Sequence, residues 1–270
     1  MADSGNLVLR ETDNAVLILT LNRPEVLNAM NGALAGALMA ALETAREAAV
    51  KGDVRAVVLT GAGRGFCAGA DLTEPALRAN AGHPPPDLGT YLRQHYHPII
   101  EGMRSLPIPV ITAVNGSAAG AGMSLALAGD IVLAGRSASF LQAFSRIGLI
   151  PDAGSTYFLP RLIGESRARA LTILADKIGA EQALEFGLVW QVLPDEDLQA
   201  AAREMAARLA TMPTRAYAFI KEALNQSLQN DLPRQLEVEA QLQSRAGQTE
   251  DFSEGVAAFL AKRQAIFKGR

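Results

Sequence analysis

Cysteine is almost missing from this chain of 270 residues: Cys67 stands alone, so no intrachain disulfide can form and a reducing compartment is expected. Long apolar runs are missing too. None approaches the ~20 residues of a membrane span, and Met1–Asn6 lacks the basic and apolar regions of a signal peptide. The expectation is a soluble, cytoplasmic protein with no membrane partner. There is no basic excess, 25 Lys and Arg standing against 28 Asp and Glu, which argues against a nucleic-acid surface but leaves room for a small anionic ligand. Histidine is scarce. His83, His95 and His97 are the only ones; His95 and His97 could be two metal ligands, but no third histidine ligand beside them and no carboxylate cluster supports the pair, so no metal site is expected. Cys67 has no evident histidine base, and no Gly-x-Ser-x-Gly elbow occurs, which sets aside nucleophilic hydrolysis.

What is present is alternation. Ala15–Leu21, Val54–Thr60, Val110–Val114 and Ile131–Ala134 read as short buried strands, with helices over roughly Asn31–Val50 and Tyr91–Ser105 between them. Thr73–Gly89, containing three consecutive prolines, reads as a surface excursion. Strand, small-residue loop and helix alternate to about residue 193, which points to an α/β core over residues 1–194. From residue 195 to 270 the character changes to consecutive amphipathic helices: Asp195–Thr211, Thr214–Leu228, Leu232–Gln248 and Ser253–Phe267. Pro213 and Pro233 fall near helix starts, where proline is tolerated. Such a helical appendage often covers a neighbouring copy, so a homo-oligomer is expected.

Three segments carry chemistry. Asn115–Asp130 leads from a β-branched run through small residues into an apolar helix. Bare Gly and Ala at 118–122 let a ligand approach backbone N–H groups at a helix start, which suits an oxygen gaining negative charge. Gly61–Asp71 follows a strand, yet its third glycine position is Phe66, so the dinucleotide fingerprint fails. It is either a plain glycine turn or a second half of the same oxyanion site. Asp152, in Ile147-Gly-Leu-Ile-Pro-Asp-Ala-Gly-Ser-Thr156, sits between an apolar run and a turn opening a helix. It is either the cap of that helix or a desolvated carboxylate able to shuttle a proton.

Taken together, Leu21–Met30, Gly65–Leu72, Pro109–Gly116 with Ala119–Gly122, Gly148–Thr156 and the tail Phe259–Arg263 resemble the crotonase (enoyl-CoA hydratase/isomerase) superfamily, in family order. The resemblance implies a spiral of ββα units, a helical C-terminal trimerisation region, and trimers or dimers of trimers. It implies an acyl-CoA thioester substrate and no separate cofactor, coenzyme A being part of the substrate. By position, the amides of Ala70 and Ala121 would form the oxyanion hole, with Gly69 and Gly120 beside them. Ala68, Asp71 and Leu72 would lie along the adenine and pantetheine. Arg23, Val26 and Leu27 would line the CoA path, with Arg23 a phosphate partner. Ser124 and Phe144 stand where the family's hydratases carry two glutamates, so ordinary hydration is not expected, and Phe144 would make its corner of the pocket apolar. Asp152 stands where the isomerase branch carries its single acid/base carboxylate. Ala143–Gly154, Leu159–Leu162, Gly187–Val192 and Glu254–Arg263 resemble the isomerases that act on ring-epoxide aryl thioesters. The expected activity is therefore isomerisation of an unsaturated or aryl acyl-CoA, by a double-bond shift or a ring-epoxide rearrangement. An atypical hydratase and a catalytically silent acyl-CoA-binding subunit are the alternatives.

Overall fold

The computed structural model describes residues 6–77 and 85–270; His83 and part of the Thr73–Gly89 excursion lie outside them. The chain opens with an antiparallel hairpin of β1 (Val8–Asp13) and β2 (Val16–Leu21). Sequence reading missed β1 because it is an edge strand with only Val8 buried, so it lacks the apolar alternation that marks a half-buried strand. After a single turn at Pro24–Val26, α1 (Gly32–Lys51) begins with the Asn31 side chain accepting from Leu34 N–H, and Gly52 ends it in the left-handed region. Leu34, Leu38 and Leu42 bury one face of α1, while Glu43 and Glu47 stay exposed.

From β3 (Ala56–Gly61) onward a three-part pattern repeats. β3 is followed by β4 (Gly65–Cys67) and then by α2 (Leu88–Tyr91), which runs through one wide turn at Leu92–Tyr96 into α3 (His97–Ser105). The next unit is β5 (Val110–Val114), β6 (Ser117–Ala119) and α4 (Ala121–Leu127). A further one is β7 (Ile131–Gly135), β8 (Ser139–Leu141) and α5 (Ser155–Leu174). The first strand of each unit enters a six-stranded sheet and the second a four-stranded sheet, which makes the chain a spiral of ββα units. β9 (Ile178–Gly179) completes the small sheet, α6 (Ala180–Phe186) follows, and β10 (Gln191–Leu193) closes the large sheet in the order β1-β2-β3-β5-β7-β10, parallel except for β1.

Both faces of that parallel sheet are covered, which explains why β3 and β5 are buried at every residue and largely apolar. Val57, Leu59, Val110 and Val114 face α1 and α3 in the main core. Val16, Ile18, Ala56, Val58, Ile111 and Ala113 face the other way, onto Leu198, Ala202, Ala206 and Ala210 of α7 (Leu198–Ala210). Those four recur every fourth residue, so one apolar stripe, alanine after Leu198, lies flat on the sheet. Among the described residues only helices follow β10, and the first of them, α7, belongs to the core packing of the sheet.

Beyond it lie α8 (Thr214–Ser227), α9 (Leu232–Ala246) and α10 (Glu250–Leu260). The last helix was expected to reach Phe267, yet it ends at Leu260. The tail folds back because the side chain of Glu254 accepts from Arg263 and Ile266 N–H, and that of Asp251 from the amides of Lys268 and Gly269. The largely buried Lys221 anchors α8 to the core, 2.6 Å from Asp130 and donating also to the carbonyls of Met103 and Ile108.

Candidate active site

Two glycines bring the two oxyanion candidates into adjacent segments. Gly122, in the first turn of α4, lies so close to β4 that a Cβ there would overlap the Cys67 carbonyl. Gly69 is left-handed at φ 93°, and a Cβ on it would stand 2.6 Å from Ala119 O and 3.5 Å from Ala121 N. The loop 68–70 thus rests on the backbone at the start of α4. Ala70 forms a parallel bridge with Met30: Met30 N–H donates to Gly69 O at 2.7 Å and Asp71 N–H to Met30 O at 2.9 Å. In that pattern the N–H of Ala70 itself points away from Met30. Neither the Ala70 nor the Ala121 amide finds an acceptor among the described residues, and Ala121 is the first residue of α4, at the partly positive helix end.

Asp152 is not a helix cap. Gly154, left-handed at φ 87°, occupies the cap position of α5, and no side chain caps that end. Ala153 is left-handed as well, at φ 47°. These two turns swing the Asp152 side chain off the helix axis and into the wall of a cavity of about 620 Å³. Its Oδ1 is buried without a hydrogen-bond partner among the described residues, and burial pushes the carboxyl up to about 7. The Asp152 main-chain carbonyl, by contrast, accepts from Ser155 N–H at 3.0 Å and Ser124 Oγ at 2.9 Å.

The cavity is walled largely by apolar groups, among them Leu72, Leu77, Leu88, Leu92, Leu149 and Pro151. Ala70 is in the wall; Ala121 is not, being 3 % exposed beside Gly69. Phe144 is also off the wall, its ring packed behind Gly120, so the apolar corner expected of it is made by other residues. Leu72 is half exposed at the rim, and Val26 is exposed on the turn before Leu27, which is left-handed at φ 52°. Ala68 donates to Leu27 O at 2.9 Å, which joins the two stretches expected to follow the CoA chain.

Arg23 and Asp71 meet each other. The guanidinium makes two 3.0 Å bonds to Asp71 Oδ2 and another to Ala29 O, so its charge is neutralised inside the protein. Hydrogen bonds from Thr73, and then from Arg23, hold the Asp71 carboxyl below its ordinary range. This pair staples the Arg23–Leu27 turn to the loop of Ala70. Cys67 is fully buried, and burial pushes its thiol up to about 11, which keeps it unreactive. Sequence reading weighed His97 only as a metal ligand, and it missed two further polar wall residues, Tyr91 and Tyr96. Their only signal was the apolar face of Tyr91–Ser105, where phenols read as packing. Burial raises both phenols, Tyr91 to about 12, so they stay protonated and neutral.

An amide pair with no internal acceptor, next to a cavity holding one desolvated carboxyl, can stabilise an oxyanion and move a proton beside it. Comparison with known proteins agrees with that chemistry. A family profile described as Enoyl-CoA hydratase/isomerase matches residues 11–270. The chain is 49% identical over 267 residues to a "Probable enoyl-CoA hydratase" of Rhodobacter capsulatus, covering 99% of this chain and 100% of that one. It is 46% identical to the 1,2-epoxyphenylacetyl-CoA isomerase of Escherichia coli, covering 97% and 98%. The crystal structure of an enoyl-CoA hydratase from Bacillus anthracis superposes with a TM-score of 0.89 at 36% identity, covering 98% of this chain and 100% of that one.

Proposed function

The chain belongs to the enoyl-CoA hydratase/isomerase family, and from that premise we propose that it is an acyl-CoA isomerase in which Asp152 alone moves the proton. The observation that carries this reading is the Asp152 carboxyl itself, its Oδ1 buried and without a partner among the described residues, in the wall of an apolar cavity. In this reading the Ala70 and Ala121 amides hold the thioester oxygen. The Asp152 carboxylate takes a proton from one carbon, and the electron pair moves onto that oxygen as an enolate. The resulting carboxylic acid returns the proton to another carbon, so the double bond shifts with no net change in composition. Loss of one such amide donor typically raises a barrier by about 3–4 kcal/mol. Coenzyme A would pass along Val26, Leu27, Ala68 and Leu72. The apolar wall suits an unsaturated or aryl acyl group. Likeness to the 1,2-epoxyphenylacetyl-CoA isomerase supports an aryl ring-epoxide thioester of phenylacetate catabolism as a second substrate, whose rearrangement would use the same amides to hold the thioester oxygen while a ring bond of the epoxide breaks.

Asp152→Asn should abolish double-bond migration while CoA-ester binding, read by calorimetry, survives. Near wild-type turnover in that variant would remove Asp152 from the mechanism. Likeness to the "Probable enoyl-CoA hydratase" favours a second reading, hydration of an enoyl-CoA. Crotonyl-CoA separates the two, because Ser124 and Phe144 have no carboxyl to activate water and little 3-hydroxybutyryl-CoA is expected. A silent acyl-CoA-binding subunit would show no solvent-proton exchange at the α- or γ-carbon. The exposed apolar residues of α8–α10 support assembly as a homotrimer or dimer of trimers.

A further inference from the structure

A chain of buried hydrogen bonds runs behind Asp152 and ends on its main chain. Gln142 Nε2 lies 2.8 Å from Ser155 Oγ, Ser155 Oγ lies 2.6 Å from Ser124 Oγ, and Ser124 Oγ lies 2.9 Å from Asp152 O. Ser124 and Ser155 are fully buried and Gln142 is 1 % exposed, so water does not compete for these groups. Each hydroxyl has a single hydrogen to give. One assignment uses all of them: Gln142 N–H donates to Ser155, the Ser155 hydroxyl to Ser124, and the Ser124 hydroxyl to the Asp152 carbonyl. Gly120 O, at 3.3 Å, is the weaker alternative acceptor for Ser124. A one-directional chain of this kind strengthens each of its bonds.

Its position gives it a purpose. The Asp152 carboxyl has no hydrogen bond of its own among the described residues, so only its backbone can aim it. That backbone enters two successive left-handed residues, one of them an alanine, a conformation that persists only when its surroundings hold it. Ser124 also lies on α4, three residues after Ala121 and so on the same helix face. The Ser124–Asp152 bond therefore joins the helix whose first amide faces the oxyanion position to the loop that bears the carboxyl.

We infer that Ser124, supported by Ser155 and Gln142, is a positioning residue that fixes the Asp152 carboxyl relative to the amide end of α4. The inference rests on Asp152 being the proton carrier. Ser124 thereby keeps the carboxyl in its dry setting, and without it the side chain is free to turn toward water.

The experiment compares Ser124→Ala, Ser155→Ala, Gln142→Met and Asp152→Asn in kinetics with an unsaturated acyl-CoA across a range of pH. Ser124→Ala should lower kcat by about 10- to 100-fold with KM changed less than about threefold, since misplacement rather than lost substrate contact is the defect. The midpoint of its kcat/KM–pH profile should fall from about 7 toward the ordinary carboxylate range. Ser155→Ala and Gln142→Met should move both readings in the same direction by less, and they keep the test decisive should Ser124→Ala fail to fold. Restoration of the wild-type midpoint by Ser124→Cys, which keeps a donor of similar size, supports the role. Wild-type kcat and midpoint in a folded Ser124→Ala overturn it while leaving Asp152 in place, provided Asp152→Asn is inactive. Turnover surviving in Asp152→Asn overturns the proton-carrier reading and the positioning role with it.

Discussion

A carboxyl group buried without a partner is tolerated when protonated and resisted when ionised, so Asp152 ties stability to pH. Its carboxyl is up at about 7 in the folded protein, against an ordinary value of about 4 in the unfolded chain. Below about pH 4 the group is protonated in both states and exacts nothing; above about pH 7 it is ionised in both. Through that window the unfolded chain releases the proton first, and stability falls by an amount on the order of 4 kcal/mol. Asp152→Asn should therefore stabilise the protein, with a gain that grows from about pH 4 to about pH 7 and is flat beyond. Urea-denaturation midpoints at a series of pH values measure this, and an equal gain at all pH values would mean that the carboxyl is not desolvated. The same titration should appear in wild-type kcat/KM, rising through about pH 7 as the base form appears. At this scale the sequence offered two fates for Asp152. Gly154 decided between them by taking the cap position, and no rule about residues near Asp152 could weigh a left-handed glycine against a capping aspartate.

Among elements, α4 is held by backbone contact more than by side chains. Gly122 lets it rest on the Cys67 carbonyl, a contact that a flexible side chain cannot relieve. Gly122→Ala should push α4 away from β4 and carry the Ala121 amide with it. The expected results are a turnover loss on the order of 100-fold and a destabilisation of about 1–3 kcal/mol, read from steady-state kinetics and thermal melts. Near wild-type kinetics would show that α4 absorbs a methyl group without moving its first amide. The long elements were legible because their burial is one-sided or complete: α1 shows its leucine face, and β3 and β5 are largely apolar and buried throughout. β4, β6 and β8 were not, since three residues are too few for any period to register. They exist because each lies beside the next in the small sheet, through residues more than 20 positions apart.

Across the whole molecule, the C-terminal helices meet the core at the largely buried Lys221–Asp130 ion pair and expose much apolar surface. Lys221→Met leaves Asp130 with Arg104 at 3.9 Å and the Val110 N–H, and should destabilise by about 1–3 kcal/mol in chemical denaturation. A loss below ~1 kcal/mol would mean that α8 is held by apolar packing alone. Leu228, Leu232, Phe259 and Leu260 are each more than 60 % exposed in the single chain, an apolar surface that self-association would cover. Sedimentation equilibrium should find trimers or hexamers, and Leu228→Glu with Phe259→Glu should shift the mass toward that of one chain. An unchanged mass in the double variant would place the contact elsewhere.

What the sequence determined by itself was the family, the α/β alternation, the helical C-terminal part and the short list of groups able to do chemistry, because these follow from residue types at fixed local spacing. Only the tertiary structure decided how those groups are spent. It paired Arg23 with Asp71, placed Phe144 behind Gly120, folded the tail back at Leu260, and turned Asp152 into the cavity with its carbonyl anchored on Ser124. Each of those outcomes depends on which partner arrives from a distant part of the chain and on whether water is excluded when it does, and neither quantity is written in local order.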